Sequence, residues 1–208
     1  MRMYTLFTPS HRVFYEHYFL KSVPDEFEIH AKKVPQECPS GEYYSKGWHK
    51  TTRRKVDFFY QACKENFGGE FVFSDVDVQF FGKVKDTLIE ELGDFDIACQ
   101  DDTSNISCSG FFICKCNERT LKMFENMKEF FDVCDQPTLN KQMHICKHKL
   151  LSHKFYTVGQ SIKRRWNGED FELPKDILVH HANWVVGIGA KLQLLNIVEK
   201  KFDDKGSL

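Results

Sequence analysis

No run of about 18 apolar residues occurs in this chain, so no membrane-spanning helix is expected. There is no CxxC pair, which argues against a zinc ribbon. There are no repeats and no low-complexity tracts, and net charge is nearly absent: 29 Lys and Arg stand against 30 Asp and Glu. That balance disfavours a nucleic-acid partner held by bulk electrostatics and leaves a local basic pocket open. The opening "MRMYTLFTPSHR" has too short an apolar part for a secretory signal. The expectation is an aqueous, cytoplasmic protein. Cysteine, by contrast, is plentiful, with eight residues at 38, 63, 99, 108, 114, 116, 134 and 146. Their irregular spacing and their places inside apolar runs such as "FFICKC" predict small buried thiols in a reducing compartment rather than disulfides.

The 208 residues suit one domain, and 41% hydrophobic content with 20 Phe is enough for a core. Strands are predicted at 3–8, 27–33, 70–74, 95–100 and 111–115, with later ones in "KFYTV" and "ILVHHANW". Helices are predicted from a Ser10 cap to Pro24, over 51–67 from a Thr cap, over 84–92, after Asn117, from Asp135 with Pro137 in its first turn, and in "KLQLLNIVEKKF". In "HICKH", His144 and His148 would share a helix face, a surface feature rather than a metal site. Residues 35–48 and 101–110 read as loops, and 203–208 as a frayed tail or the start of a linker. Strands alternating with helices predict an α/β fold with a mostly parallel central sheet flanked by helices, whose ligands bind beyond the carboxyl ends of the strands.

At one such end stands "GEFVFSDVDVQFFG", where Asp75 and Asp77 follow a strand apolar enough to be buried on both faces. Two carboxylates this close resist ionising together in a dry site, and a divalent cation removes the conflict. Mg2+ and Mn2+ take oxygen ligands and keep positions for phosphate, so D-x-D here suits a metal carrying a diphosphate. A solvated acidic turn is the plain alternative, and the apolar flanks weigh against it. An EF-hand fails, since Phe80 stands where the loop needs Gly and Asp86 where it needs Glu.

With "YTLFTP" before it and "HHANWVVGIGAK" after it, this pattern resembles the nucleotide-diphospho-sugar transferases of the GT-A fold. The likeness is to the family 77 type and related retaining enzymes, among them small domains encoded by large algal viruses, for which the location would be the host cytoplasm. It implies one Rossmann-like GT-A domain over 1–202, an Mn2+ (or Mg2+) ion, a UDP-sugar donor and a glycan acceptor. In the likeness Asp75 meets the ribose and the metal, Asp77 binds the metal, His181 completes the metal site, and Gly187 and Lys191 touch the diphosphate. His180 is a rival for the metal, because the His-to-Gly spacing is longer than in the commonest form. "DQPTLN" would bring Asp135 and Gln136 beside the donor sugar and its anomeric carbon, with Asp135 also readable as a simple helix cap. Asp101 or Asp102 would reach the sugar hydroxyls, and "SCSGFFI" would run along the acceptor side. Thr8 would meet the nucleobase, with Tyr15 and Phe14 as stacking candidates. Lys55 matches a family lysine, and Arg53 and Arg54 could add positive potential near the diphosphate.

The metal and Lys191 would then stabilise a leaving nucleoside diphosphate by preorganised charge. "DQPTLN" points to retention. Three rivals stand beside this. A nucleotidylyltransferase should carry a Gly-rich loop where "TPSHRVFY" has no glycine. A non-catalytic sugar-nucleotide-binding module would bind without turnover. A phosphohydrolase would show more ligand clusters.

Overall fold

The computed structural model describes residues 1–206. A six-stranded sheet has the order β2-β1-β3-β6-β5-β7, built from β1 (Arg2–Phe7), β2 (Glu28–Lys33), β3 (Glu70–Ser74), β5 (Ile97–Asp101), β6 (Ser107–Lys115) and β7 (His148–Leu150). Five strands run in one direction and β6 opposes them, so the mostly parallel sheet expected from the sequence is present. A second sheet pairs β4 (Val78–Phe80), β9 (Val179–His181) and β8 (Phe155–Tyr156), in that order.

Alternation along the strands sorts side chains into two layers. Phe71, Phe73, Ile97, Cys99, Phe112 and Cys114 face the helices Trp48–Glu65 and Glu118–Glu129, where Phe59 meets Phe73 and Phe112 edge-on at 4.6 and 5.1 Å. Met3, Val72, Ala98, Phe111 and Ile113 face the other way, toward Phe19 and Leu88. Each such Phe, fully withdrawn from water, contributes about 1.5–3 kcal/mol. A third cluster packs Tyr156, Trp166, Leu194 and Val198 between the small sheet and the closing helix Ile188–Gly206. That helix runs through the start of the segment read as a tail, and 207–208 lie outside the described residues.

Several boundaries differ from the sequence expectation. The first helical run, 9–22, starts after Thr8 with Pro9 in its first turn, not from a Ser10 cap, and contains a π-helical stretch at Tyr15–Phe19. The next helix begins at Trp48, ahead of the Thr cap expected at 51. Its N-cap is Gly47 at φ +87°, where a Cβ would lie 2.0 Å from the Glu37 carbonyl oxygen. Strand β6 begins at Ser107 and uses part of the segment read as loop. The Asn117 cap is present as a reciprocal capping box with Thr120. Asp135 is the first helical residue and not the cap, which is Cys134. "HICKH" does not form one helix: Met143–Ile145 is a 3-10 turn and His148 opens β7. All eight cysteines are free and buried. Among the described residues no helix is long and apolar enough to cross a membrane.

Candidate active site

The short strand β4, which the sequence did not signal, assembles the site. It follows Asp77 directly and pairs antiparallel with β9, setting Val78 opposite His181 and Gln79 opposite His180. The Ala182 amide donates to the Asp77 carbonyl at 2.9 Å. Just past β3, the Asp75 amide donates to Gly110 O on β6 at 2.6 Å, so both ends of D-x-D are tied to strands. The two aspartates and His181 then converge, with one ligand atom from each lying within 4.8 Å of the others. His181 Nε2 is 3.5 Å from Asp77 Oδ1 and 3.9 Å from Asp75 Oδ2.

Gln100 decides how this imidazole presents itself. Its Nε2 donates to the carbonyls of Phe155 and Tyr156 at 3.2 and 3.0 Å, which leaves Oε1 as an acceptor 2.9 Å from His181 Nδ1. Gln100 therefore holds a proton on Nδ1, and Nε2 is the ring nitrogen that faces the aspartates and that a metal would take. Gly110 makes the approach sterically possible, since a Cβ there would lie 2.4 Å from His181 Cε1 and 2.5 Å from Asp75 Oδ2. His180 points to the opposite face. It is fully buried, 3.4 Å from Gln79 Oε1, and burial followed by the charge of His181 pushes its pKa down to about 3. Of the two adjacent histidines, His181 is the one that faces both aspartates.

Two lysines balance the carboxylates. Lys55 Nζ lies 2.8 Å from Asp75 Oδ1 and 2.9 Å from Asp135 Oδ2. Burial pulls its pKa down, but Asp135 and Asp75 outweigh burial and hold it above the ordinary lysine value. Lys191 pairs with Asp77. Burial works against the Asp77 charge, and Lys191 and His181 outweigh it, so its pKa lies well below the ordinary value. Burial raises the pKa of Asp75. Asp77 is thus firmly ionised, and Asp75 is the one of the two aspartates that gains more from a further cation.

These residues open onto a cavity of about 460 Å³. Thr8, Lys55, Asp75, Asp77, Asp102, Asp135, Gln136, His181, Gly187 and Lys191 all line it. On one side Asp135 Oδ2 accepts from Ser109 Oγ at 2.7 Å, and Gln136 Nε2 donates to Asp102 Oδ2 at 2.6 Å. Asp102 also accepts from Asn183 Nδ2 and from Trp184 Nε1 at 2.9 Å, and burial raises its pKa. On another side, Gly187 at φ +95° leads into the Ile188–Gly206 helix, whose first turn carries Lys191. A helix N-terminus beside a lysine suits a phosphate. Thr8, at the end of β1, lies 3.2 Å from His11 Nδ1.

Some expected residues lie elsewhere. Tyr15 does not line the cavity; its ring stacks on Phe7 at 4.3 Å, because the helical run after β1 turns that face to the core. Phe14 is fully buried. Arg53 lies over the Phe131 ring and Arg54 pairs with Glu37, so neither reaches the cavity. Asp102, and not Asp101, faces it. Gln100, Gly110, Asn183 and Trp184 were not singled out from the sequence. The last two stand inside "HHANW", where nothing but tertiary contact with Asp102 marks them.

The model of the nucleotide-diphospho-sugar transferase family matches residues 16–195. The chain belongs to this family. No curated protein matches the sequence. Among solved structures, the glycosyltransferase GlyE of Streptococcus pneumoniae TIGR4 has a similar fold, with a TM-score of 0.57 at 11% identity over 99% of this chain and 63% of that one. Its apo form gives 0.58 at 12% identity. The galactosyltransferase LgtC, solved with donor and acceptor sugar analogs, gives 0.52 at 11% identity over 88% of this chain and 87% of that one. At such identities the likeness is one of fold, the GT-A architecture.

The donor set of this family member fits a divalent metal. Two carboxylates and an imidazole whose Nε2 faces them offer the hard oxygen and nitrogen ligands that Mn2+ or Mg2+ takes.

Proposed function

We propose that this protein is a metal-dependent glycosyltransferase that moves a sugar from a UDP-sugar to a glycan hydroxyl with retention. The observation that carries this is the Asp75–Asp77–His181 cluster set beside Lys191 at a helix N-terminus, in one cavity. Asp75, Asp77 and His181 would hold Mn2+ or Mg2+. When bound, the ion supplies positive charge to the diphosphate as it becomes the leaving group. Lys191 and the amides that open its helix neutralise the same phosphates. Thr8 marks the nucleobase end. Gln136 and Asp102 hold each other at the sugar end, and their remaining hydrogen-bonding capacity faces the donor hydroxyls.

Retention is supported by the state of two cavity carboxylates. Asp135 is held by Lys55 and Ser109, and Asp102 by Gln136, Asn183 and Trp184. Both are already engaged by these partners, which disfavours them as the general base that inversion requires. A front-face route, in which the departing phosphate takes the acceptor proton, needs no such base. Within the family, the motif order from "YTLFTP" to "HHANWVVGIGAK" supports a place with the family 77-like enzymes, viral members included, acting in the cytoplasm.

The test is calorimetric titration of UDP with Mn2+ or with EDTA, then UDP release from a panel of UDP-sugars. Metal-dependent binding and turnover of one donor are expected. Binding without turnover would favour a sugar-nucleotide-binding protein instead. His181→Ala and Asp77→Asn should each lose Mn2+ affinity, while His180→Ala keeps it. Full activity in Asp77→Asn would sink the metal assignment.

A further inference from the structure

The loop between β2 and the Trp48–Glu65 helix carries a compact aromatic surface. Tyr44 stacks on Trp48 with ring centroids 5.0 Å apart, and Tyr43 meets both edge-on at 4.5 and 4.8 Å. These rings are not core: Tyr43 is 48% and Tyr44 57% exposed. Tyr44 also sits at φ +60°, a backbone state that costs a non-glycine residue about 1–2 kcal/mol. A ring more than half in water does not repay that cost through burial.

The loop is nevertheless well fixed. The Ser45 hydroxyl donates to the Glu42 carbonyl at 2.7 Å, and Gly41 and Gly47 pack against Ser10 and the Glu37 carbonyl with no room for a side chain. Its course sets the rings at one end of the cavity. Gly41 lies against Ser10 and His11, beside Thr8. By Tyr44 the chain has crossed to Asp132 and Val133, which with Ser45, Trp48 and His49 line a second depression of about 230 Å³. Trp48 lines both hollows, and Tyr43, Trp48 and Arg165 line the main cavity together with Asp135 and Gln136. Residues 132–134 lead straight into Asp135 and Gln136. The Arg165 guanidinium stands 5.4 Å from the Tyr43 ring centroid.

We propose that Tyr43, Tyr44 and Trp48 form the acceptor subsite, on which a sugar ring of the glycan acceptor stacks. This deepens the proposed glycosyl transfer and rests on it. A sugar ring has an apolar C–H face and a polar edge. Flat aromatic rings with Asp132, His49 and Arg165 around them match both. The site lies at the Asp135–Gln136 end of the cavity, where an acceptor hydroxyl must arrive, and away from the Thr8 end that suits the base of the donor.

The test uses Tyr44→Gly, which keeps the backbone state, and Tyr44→Phe, which keeps the ring. Three quantities are read: melting temperature, UDP affinity with Mn2+ by calorimetry, and capture on a printed array of plain oligosaccharides and methyl glycosides. The expected result is wild-type UDP affinity in both variants, at least tenfold weaker glycan capture in Tyr44→Gly, and near wild-type capture in Tyr44→Phe. Unchanged capture in Tyr44→Gly overturns the subsite. So does a parallel fall in UDP affinity, which would make the rings a base platform. A wild-type protein that binds UDP but captures no glycan overturns the subsite and leaves the donor site standing. Failure to bind UDP with Mn2+ present, alongside Tyr44-dependent capture of a glycan, sinks the donor reading and keeps the glycan site.

Discussion

The Nδ1 of His181 lies 2.9 Å from the Gln100 side-chain oxygen, and that contact orients the imagined metal ligand before any metal arrives. Gln100 is fully buried, and its amide nitrogen is already committed to two carbonyls, so the amide cannot turn over without losing both bonds. Gln100→Leu should therefore weaken Mn2+ binding about 10–100-fold. Gln100→Glu, which keeps an acceptor, should lose less. Calorimetry reads the affinities. Nitrogen NMR of the metal-free wild type should show a proton on His181 Nδ1; a bare Nδ1 would remove the basis of the prediction.

Gly110 leaves room for His181 and Asp75 to approach each other, as the proposed metal site requires. Its missing Cβ would fall inside the contact distance of both His181 and Asp75. Gly110→Ala should displace both ligands and lower Mn2+ affinity more than tenfold, with overpacking costing about 1–3 kcal/mol of stability. Metal titration and denaturant melts separate the two effects. Wild-type affinity would show that the site relaxes around a methyl group.

Lys55 holds together the buried carboxylate of Asp135 and the half-buried one of Asp75. Lys55→Met leaves Asp75 and Asp135 with their shared cation gone, a loss of about 3–5 kcal/mol in the metal-free protein. Mn2+ takes over Asp75, so the ion should stabilise this variant more than the wild type. Paired urea denaturations in Mn2+ and EDTA measure the difference, and equal stabilisation would argue against Asp75 as a ligand.

Beside the acid sensitivity of Asp77 in the cavity, a second contribution should arise away from it, at Asp96. Arg119, the Lys147 amide and Asn117 hold this buried carboxylate, with Arg119 the largest influence, and its pKa falls from 3.8 to about 2. The unfolded chain takes up this proton first as pH drops. The stabilisation is full above about pH 4 and is lost as pH falls through about 2, on the order of 1 kcal/mol once water screening of the exposed Arg119 is allowed for. Asp96→Asn should flatten that part of the melting-temperature profile between pH 4 and pH 2. An unchanged slope would assign the acid loss to other carboxylates.

The fold class and the strand that carries the two aspartates were legible in the sequence. A strand of Phe and Val ending in Asp75 and Asp77 announces itself by pattern alone, as do the Asn117 cap and the alternation of strands and helices. Lys55, Asp135, Gln136 and Lys191 were within reach through family likeness, because each stands in a short motif. Tertiary structure decided the rest. His180 and His181 are adjacent and chemically identical, and only the pairing of β9 with β4 determines which one faces Asp77, since neighbours on a strand point to opposite sides. Tyr15 looked like a stacking residue until the first helical run turned it onto Phe7. Gln100, Gly110 and Trp184 carry no motif, and their roles exist only where strands and loops remote in sequence meet. Periodicity and residue chemistry act along the chain and can be read from it. Which side chains share a cavity depends on strand register, and contacts between distant segments set that register.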